Sequence, residues 1–298
     1  MFTIAIPVFK LKKNFSHTLK SLEHLNLYLV KEIVFYIQPG EDTTKIIEQI
    51  DKSNIDAKYH VNSENIGMVR NWNQSIEKCT SKYLIIKHDD DILLPGVLKR
   101  FLKVFQDNPN TALIASKPGY ATNRLKTIVK FFLNRLCRYS LYNYNDYEDF
   151  LLNAFPLTPS GVCFNIEVLE NKFMFSNEFQ YSADQELWPR ILNKHQIIIL
   201  KNWFVVKTKN GENFQLTTWM NDDFYVQYID LHIIIYKYSS LNNKVFEILY
   251  NKLSLDLRYI ANNGYISSDF NLLLLNEFSD RCKDIIINNY ERNANELQ

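Results

Sequence analysis

Ser81-Lys-Tyr-Leu-Ile-Ile-Lys-His-Asp-Asp-Asp-Ile-Leu-Leu-Pro95 is the stretch that decides the fold. Its apolar run, Tyr83 to Ile86, is of the kind that occupies the middle of a sheet, and it stops abruptly at His88 and three consecutive carboxylates, Asp89, Asp90 and Asp91. In an open α/β sheet, ligands bind outside the carboxyl ends of the strands. Acidic residues there are positioned to hold a divalent cation against an anionic substrate. Three adjacent carboxylates repel one another unless something positive shares the site, and oxygen ligands suit hard ions such as Mg²⁺ or Mn²⁺. The plainer alternative is a solvated acidic turn that caps the helix after Pro95.

Outward from this stretch, strands and helices alternate. Residues 2–8 read as a first strand ending at Pro7-Val8-Phe9, and residues 14–29 carry Phe15, Leu19, Leu22 and Leu25 at helical spacing. A second strand over 32–37 breaks at Gln38-Pro39-Gly40, and a helix follows over 42–50 with Asp42 or Thr43 as its cap. A short strand at 59–61, a polar loop at 62–67 and a helix over 68–78 lead back to the acidic strand. Beyond it come a helix over 95–105 and a strand over 112–116. This alternation predicts an α/β fold with a doubly wound, mostly parallel sheet covered on both faces.

From residue 108 to 145 the chain has no Asp or Glu, while Lys117, Arg124, Lys126, Lys130, Arg135 and Arg138 accumulate. Leu125, Ile128, Val129, Phe132, Leu133 and Leu136 form one apolar stripe, which predicts an amphipathic insertion at about 117–145. Residues 124–138 suit peripheral contact with an anionic membrane or a pyrophosphate-bearing lipid; the alternative is a helix packed on the sheet with a solvated basic face. Further on, an acidic helix spans 147–155, a loop over 156–165 runs into a strand, and Ser182 is a candidate cap for a helix with Asp184 and Glu186 in its first turn. Residues 196–200 and 203–207 read as two strands. From 217 onward the pattern is helical, so residues 1–215 are expected to form one domain and 216–298 a helical extension.

Composition bounds the rest. A chain of 298 residues, 46% hydrophobic, can bury a sizeable core. Its 34 basic and 33 acidic residues nearly cancel, so nothing points to nucleic acid as a partner. Cys79, Cys137, Cys163 and Cys282 are scattered without a Cys-x-x-Cys pair, which fits reduced thiols. With no signal sequence visible and no apolar run of membrane-spanning length, a cytoplasmic location is expected, with attachment to the inner membrane face left open.

Four ordered landmarks resemble a family 2 glycosyltransferase of the GT-A fold. Ile6-Pro7-Val8-Phe9 is similar to the family's opening strand end. Asn65-Ile66-Gly67 followed by Arg70-Asn71 is similar to its Asn-x-Gly-x-x-x-Ala-Arg-Asn loop, and His88-Asp-Asp-Asp91 with Pro95 to its Asp-x-Asp-Asp turn. The segment 182–190, Ser-Ala-Asp-Gln-Glu-Leu-Trp-Pro-Arg, resembles its later Glu-Asp-x-x-Leu-Trp-x-Arg segment.

The resemblance implies transfer of a sugar from a nucleotide donor, a UDP-sugar first, to a glycan or lipid-linked glycan by metal-dependent, inverting displacement, in bacterial surface polysaccharide assembly such as capsule or lipopolysaccharide. Mn²⁺ or Mg²⁺ is the implied cofactor, with Asp90 first among the metal ligands and Asp91 second. Asp184 matches the base position and Glu186 stands in reserve. The implied donor-binding set is Pro7, Val8, Phe9, Gln38, Asn65, Gly67, Arg70, Asn71, His88, Asp89, Lys207 and Lys209; Trp188 and Ser160 fall on the acceptor side, with a core role equally open to Trp188. Two departures stand out: His88 replaces the family's first Asp, and Ile37-Gln38-Pro39-Gly40 replaces its base-reading Asp-Asp-Gly-Ser turn. A catalytically silent scaffold is therefore a competing reading. A sugar nucleotidyltransferase is a weaker one, since the Gly-rich loop it needs after the first strand is absent.

Overall fold

The apolar runs at the start of the chain form the parallel half of a sheet. The computed structural model describes residues 1–120, 139–154, 157–170, 173–207 and 221–296. In it, β1 (Phe2–Val8), β2 (Val30–Ile37), β3 (Ala57–Val61) and β4 (Tyr83–Ile86) pair in the order β3-β2-β1-β4. All three pairings are parallel. The connections run through α1 (Phe15–Glu23), α2 (Thr43–Asp51) and α3 (Met68–Glu77).

Asp42 precedes α2 without capping it through its side chain. Its carboxylate instead accepts from the Leu11 N–H at 3.3 Å, while the Gly40 N–H donates to Thr43 Oγ1 at 2.9 Å.

The second half departs from the expected mostly parallel order. Its elements are β5 (Ile92–Leu93), α4 (Val97–Asp107), β6 (Thr111–Tyr120), β7 (Tyr139–Tyr142), α5 (Tyr147–Asn153), β8 (Val162–Asn165), α6 (Ile166–Leu169), α7 (Ala183–Leu192) and β9 (Gln196–Lys207). The sheet continues from β4 as β8-β6-β9-β5, and β7 also pairs with β9. β8 is antiparallel to both of its neighbours, β6 and β9 run parallel, and β5 and β7 run antiparallel to β9. The sheet is mixed because alternation of strand and helix along the chain does not report direction, and an antiparallel neighbour needs no helical crossover.

β8 enters through Gly161, whose φ of +98° lies in the left-handed region. A Cβ there would stand 2.8 Å from Val205 Cγ2 and 3.1 Å from Ser116 Oγ. The Gly161 carbonyl accepts from the Ser116 N–H at 3.0 Å, which locks the end of β8 to β6.

Side chains alternate across the strands, as a two-residue period requires. Ile4, Ile6, Phe35, Ile37, Tyr83 and Ile85 enter a core with α1, α2 and α4, whereas Ala5, Val34, Tyr36, Leu84 and Ile86 enter the core on the opposite face. That second core also takes Leu249, Leu253, Leu257 and Phe278, so it continues into α8 (Asp222–Tyr238), α9 (Asn243–Asn262) and α10 (Ser268–Glu296). No helix among the described residues is long and apolar enough to cross a membrane. The basic stripe at 124–138 and Lys209 lie outside the described residues.

Candidate active site

The carboxylate turn is fixed by its backbone. The Lys87 N–H donates to the Ala5 carbonyl at 2.9 Å, extending β4 by one residue before the chain turns. The Lys87 side chain is fully buried, and its Nζ donates to the carbonyls of His88 at 2.9 Å and Asp91 at 2.6 Å. From α1, the buried Thr18 Oγ1 lies 2.9 Å from the Asp89 carbonyl and 3.0 Å from that of Asp91, its one proton shared between them. Two side chains thus grip three carbonyls of a four-residue turn and leave its carboxylates for other work. The turn does not cap α4: the cap position is Gly96, which makes no side-chain cap bond.

His88, Asp90 and Asp91 each offer a ligand atom, and these atoms lie within 4.8 Å of one another. His88 Nδ1 is 3.7 Å from Asp91 Oδ2. His88 Nε2 and Asp91 Oδ2 are both buried without a hydrogen-bond partner. Buried polar atoms are rarely left in that state, so this donor set fits a divalent cation. The Trp72 ring stacks on the imidazole at 5.8 Å and 14°, and the His88 N–H donates to Ser160 Oγ at 3.4 Å. Burial lowers the His88 pKa below its usual value, against the pull of Asp91 and Asp90, and keeps a ring lone pair available. Burial, reinforced by Asp90, pushes Asp89 up to about 7, with Lys12 and Lys87 opposing. Lys87 is lowered to about 8 by burial despite the three aspartates around it.

Above the turn opens a cleft of about 710 Å³ at the carboxyl ends of β1, β2 and β4. Pro7, Phe9, Gln38, Asn65, Gly67, Asn71, His88, Asp89 and Asp90 all line it. Four further lining residues were not foreseen: Lys10, Lys12, Met68 and Trp72. Two lysines lining the same cleft as Asp89 and Asp90 give it both signs of charge. The Lys-Leu-Lys-Lys run after the first strand was the available signal, since cations at a strand's carboxyl end face the same crevice as the acids.

A family model described as glycosyl transferase family 2 matches residues 3–163, more than half of the chain. The chain belongs to that family. Its fold is the GT-A fold. The structure of S. aureus TarS 1-349 in complex with UDP-GlcNAc is similar at a TM-score of 0.62 and 13% identity, over 98% of this chain and 92% of that one. Mannosyltransferase PcManGT from Pyrobaculum calidifontis, in complex with GDP-Man and Mn²⁺, gives 0.56 and 12%, over 95% and 75%. Glucosyl-3-phosphoglycerate synthase from Mycobacterium tuberculosis gives 0.53 and 12%, over 82% and 81%. No curated protein sequence matches the chain.

Where the family 2 resemblance places a base-reading Asp, Gln38 is engaged within the protein. Only 2% of it is exposed. Its Nε2 donates to the Gly67 carbonyl at 3.2 Å, and its Oε1 accepts from the Ile66 N–H at 3.1 Å and from Asn62 Nδ2 at 3.4 Å. Asn62 also donates to Asn71 Oδ1 at 3.2 Å and accepts from Gln74 Nε2 at 3.0 Å, and Asn71 Nδ2 reaches the Tyr36 carbonyl at 3.0 Å. Four carboxamides therefore pin the 62–67 loop and α3 to the end of β2. Within the loop the Gly67 N–H donates to Asn65 Oδ1, and Gly67 sits at a φ of +79°, where a side chain would be strained. Arg70 on α3 is exposed and does not line the cleft, and Val8 is fully buried in the core.

The two carboxylates of the family 2 acceptor-side segment part company. Glu186 is 2% exposed; it accepts from Arg190 Nε at 2.7 Å, Arg190 Nη2 at 2.9 Å and the Tyr238 hydroxyl at 2.8 Å, so it ties α7 to α8. Asp184 is less encumbered. The Gln185 N–H donates to its Oδ1 at 2.9 Å. Burial pushes its carboxyl up to about 6, against that amide and the positive field of Lys207. Lys207 closes β9, whose Val206 pairs with Ile92 just beyond the carboxylate turn, and its charge acts on His88 as well as on Asp184.

Ser182 precedes α7, but its side chain caps nothing and its Oγ is buried without a partner. Trp188 is fully buried against Phe164 and Phe175, with Nε1 donating to the Leu157 carbonyl at 3.0 Å, which places it in the core. Ser160 is fully buried under the turn, where its hydroxyl accepts from His88.

Proposed function

We propose that this family 2 glycosyltransferase moves a hexose from a nucleoside diphosphate donor, a UDP-sugar first, to a hydroxyl of a glycan or lipid-linked glycan, with inversion at the anomeric carbon. The single observation that carries the reading is the cleft at the carboxyl ends of β1, β2 and β4, lined by His88 and Asp90, with the buried Asp91 completing a His-Asp-Asp group behind them. Asp184 is not among the residues that line the cleft; what supports it as the base is that the charge of Lys207 acts on both His88 and Asp184. TarS was solved with UDP-GlcNAc and PcManGT with GDP-Man, so donors of this chemical class occur on the fold.

In this reading Phe9, Met68 and Trp72 provide apolar walls for the donor, and Lys12 faces its phosphates. His88, Asp90 and Asp91 would hold Mn²⁺ or Mg²⁺, and a bound ion supplies charge neutralisation for the departing diphosphate. The Asp184 carboxylate takes the proton of the acceptor hydroxyl as its oxygen attacks the anomeric carbon. A carbon–oxygen bond forms on that face while the bond to the diphosphate breaks on the other, and the nucleoside diphosphate leaves with the electron pair. A carboxyl poised near 6 is still ionised at neutral pH yet more basic than an ordinary aspartate, which suits a general base.

We assign this chemistry to residues 1–215, with α8 of the helical extension (216–298) packed on α7, and we place the enzyme in the cytoplasm, serving surface polysaccharide assembly. Purified protein incubated with Mn²⁺ and a panel of nucleotide sugars should release nucleoside diphosphate with at least one donor. Silence with every UDP- and GDP-sugar, with and without acceptor glycans, would leave a scaffold without turnover.

A further inference from the structure

We infer that the cation site of this chain is a mixed nitrogen–oxygen site, in which a His88 ring nitrogen joins Asp90 and Asp91 as a metal ligand and turns selectivity from Mg²⁺ toward Mn²⁺ and Co²⁺. The inference rests on the proposed metal-dependent reading and deepens it.

Geometry carries it. The imidazole and the two carboxylates present ligand atoms within 4.8 Å of one another. Asp91 is 97% buried, and yet its Oδ2 has no hydrogen-bond partner and points at His88 Nδ1 from 3.7 Å. The imidazole is not free to turn away. Trp72 lies flat against it, and the backbone on both sides of it is held, the amide by Ser160 and the carbonyl by Lys87. A ring held in plane, with Nδ1 facing the Asp91 carboxylate and Nε2 buried without a partner, is prearranged as a donor, and preorganised ligands bind with little ordering penalty.

Ligand chemistry sets the selectivity. Mg²⁺ demands near-octahedral oxygen and dehydrates reluctantly, whereas imidazole favours the later first-row ions in the order Mn²⁺ < Fe²⁺ < Co²⁺ < Ni²⁺. Two carboxylates keep the site hospitable to Mn²⁺, and one imidazole penalises Mg²⁺. The family's Asp at this position would offer only oxygen.

The test uses the full chain with Mn²⁺ alone and then with UDP added. Electron spin echo modulation of the bound Mn²⁺ should show coupling to a ¹⁴N nucleus, and titration should give affinity at least about tenfold above that for Mg²⁺. In His88→Asp the nitrogen coupling should vanish and the Mn²⁺ to Mg²⁺ ratio should fall toward unity while Mn²⁺ still binds. His88→Gln should lose the coupling as well. Bound Mn²⁺ without nitrogen coupling in the wild-type chain, equal affinity for the two ions, or no binding in either condition would overturn the inference.

The proposed function fails separately. Nitrogen-coupled Mn²⁺ with no turnover of any donor would keep the site and remove the transferase, and turnover that is indifferent to the choice of ion would do the reverse.

Discussion

Asp184→Asn should inactivate the enzyme and stabilise it at the same time. In the folded chain burial raises the Asp184 carboxyl from 3.8 to about 6, so the folded state holds this proton more tightly than the unfolded state does. A raised carboxyl pKa favours folding while the group is protonated, and the advantage is lost as pH rises from 3.8 through 6. Two units at about 1.4 kcal/mol each come to about 3 kcal/mol of instability at neutral pH. The group is partly exposed, and solvent screening reduces the net gain in the variant to about 2 kcal/mol. Asn keeps an oxygen for the Gln185 amide, so no hydrogen bond is lost.

Urea unfolding of both proteins at pH 7.5 and pH 5 reads the effect. The variant's advantage should fall to about half at the lower pH, because much of the penalty is then relieved in the wild type. Turnover should drop by about 10² to 10⁴, and wild-type turnover should decline as pH falls through about 6. A variant less stable than wild type at pH 7.5, or one whose advantage does not change with pH, would mean that the carboxylate is a structural group and that the base lies elsewhere.

Three other substitutions separate scaffold from chemistry. Gly161→Ala should cost about 3 kcal/mol, read as a lower urea midpoint, because its Cβ would stand 2.8 Å from the β-branched Val205 at a φ of +98°; an unchanged midpoint would deny the close approach. Glu186→Gln should destabilise by about 3 kcal/mol by leaving Arg190, itself about a quarter exposed, without its anion, while turnover of the folded variant stays within a few-fold of wild type. A turnover loss as deep as that of Asp184→Asn would make Glu186 a reacting group. Lys87→Met should weaken Mn²⁺ binding by about tenfold or more, by calorimetry, since the carbonyls of His88 and Asp91 lose their buried donor. Equal affinity would mean that Thr18 holds the turn unaided.

The parts of the fold that were legible in the sequence are those governed by local pattern. The strands at 2–8 and 83–86 are unbroken apolar runs that end in a change of chemistry, and both appear at those bounds. β5 and β7 were not legible: one is a two-residue pairing, the other an unremarkable Tyr-Ser-Leu-Tyr, and each is a strand only because β9 lies beside it. The two strands expected at 196–200 and 203–207 are a single one, whose register against β6 jumps from Leu200 to Val205 across the polar Lys201-Asn202. The pattern correctly registered a break in pairing, though not a break in the strand.

In the site, the acidic turn and the polar loop announced themselves by residue type. What positions them did not. Lys87 and Thr18 look like an ordinary lysine and a helix threonine until the fold buries them against carbonyls up to 73 positions away. Gln38 has the right address for reading a base, but its amide is consumed by the 62–67 loop, a fact that depends on partners 24 to 29 residues further along.

The late arrival of β8 bears on how the protein is made. Synthesis delivers β1 to β4 within the first 86 residues, but the far edge of Tyr83-Leu-Ile-Ile86 finds its neighbour only when residues 162–165 emerge. Until then a nascent chain carries a fully apolar, unpaired strand margin next to a turn crowded with like charge, the kind of edge that recruits other chains. Ser160 and Gly161, which back the turn and lock the incoming strand, leave the ribosome immediately before it, so the step that covers the far edge of β4 also completes the support of His88. Truncation anywhere between residues 94 and 161 therefore yields an aggregation-prone fragment rather than a smaller working enzyme.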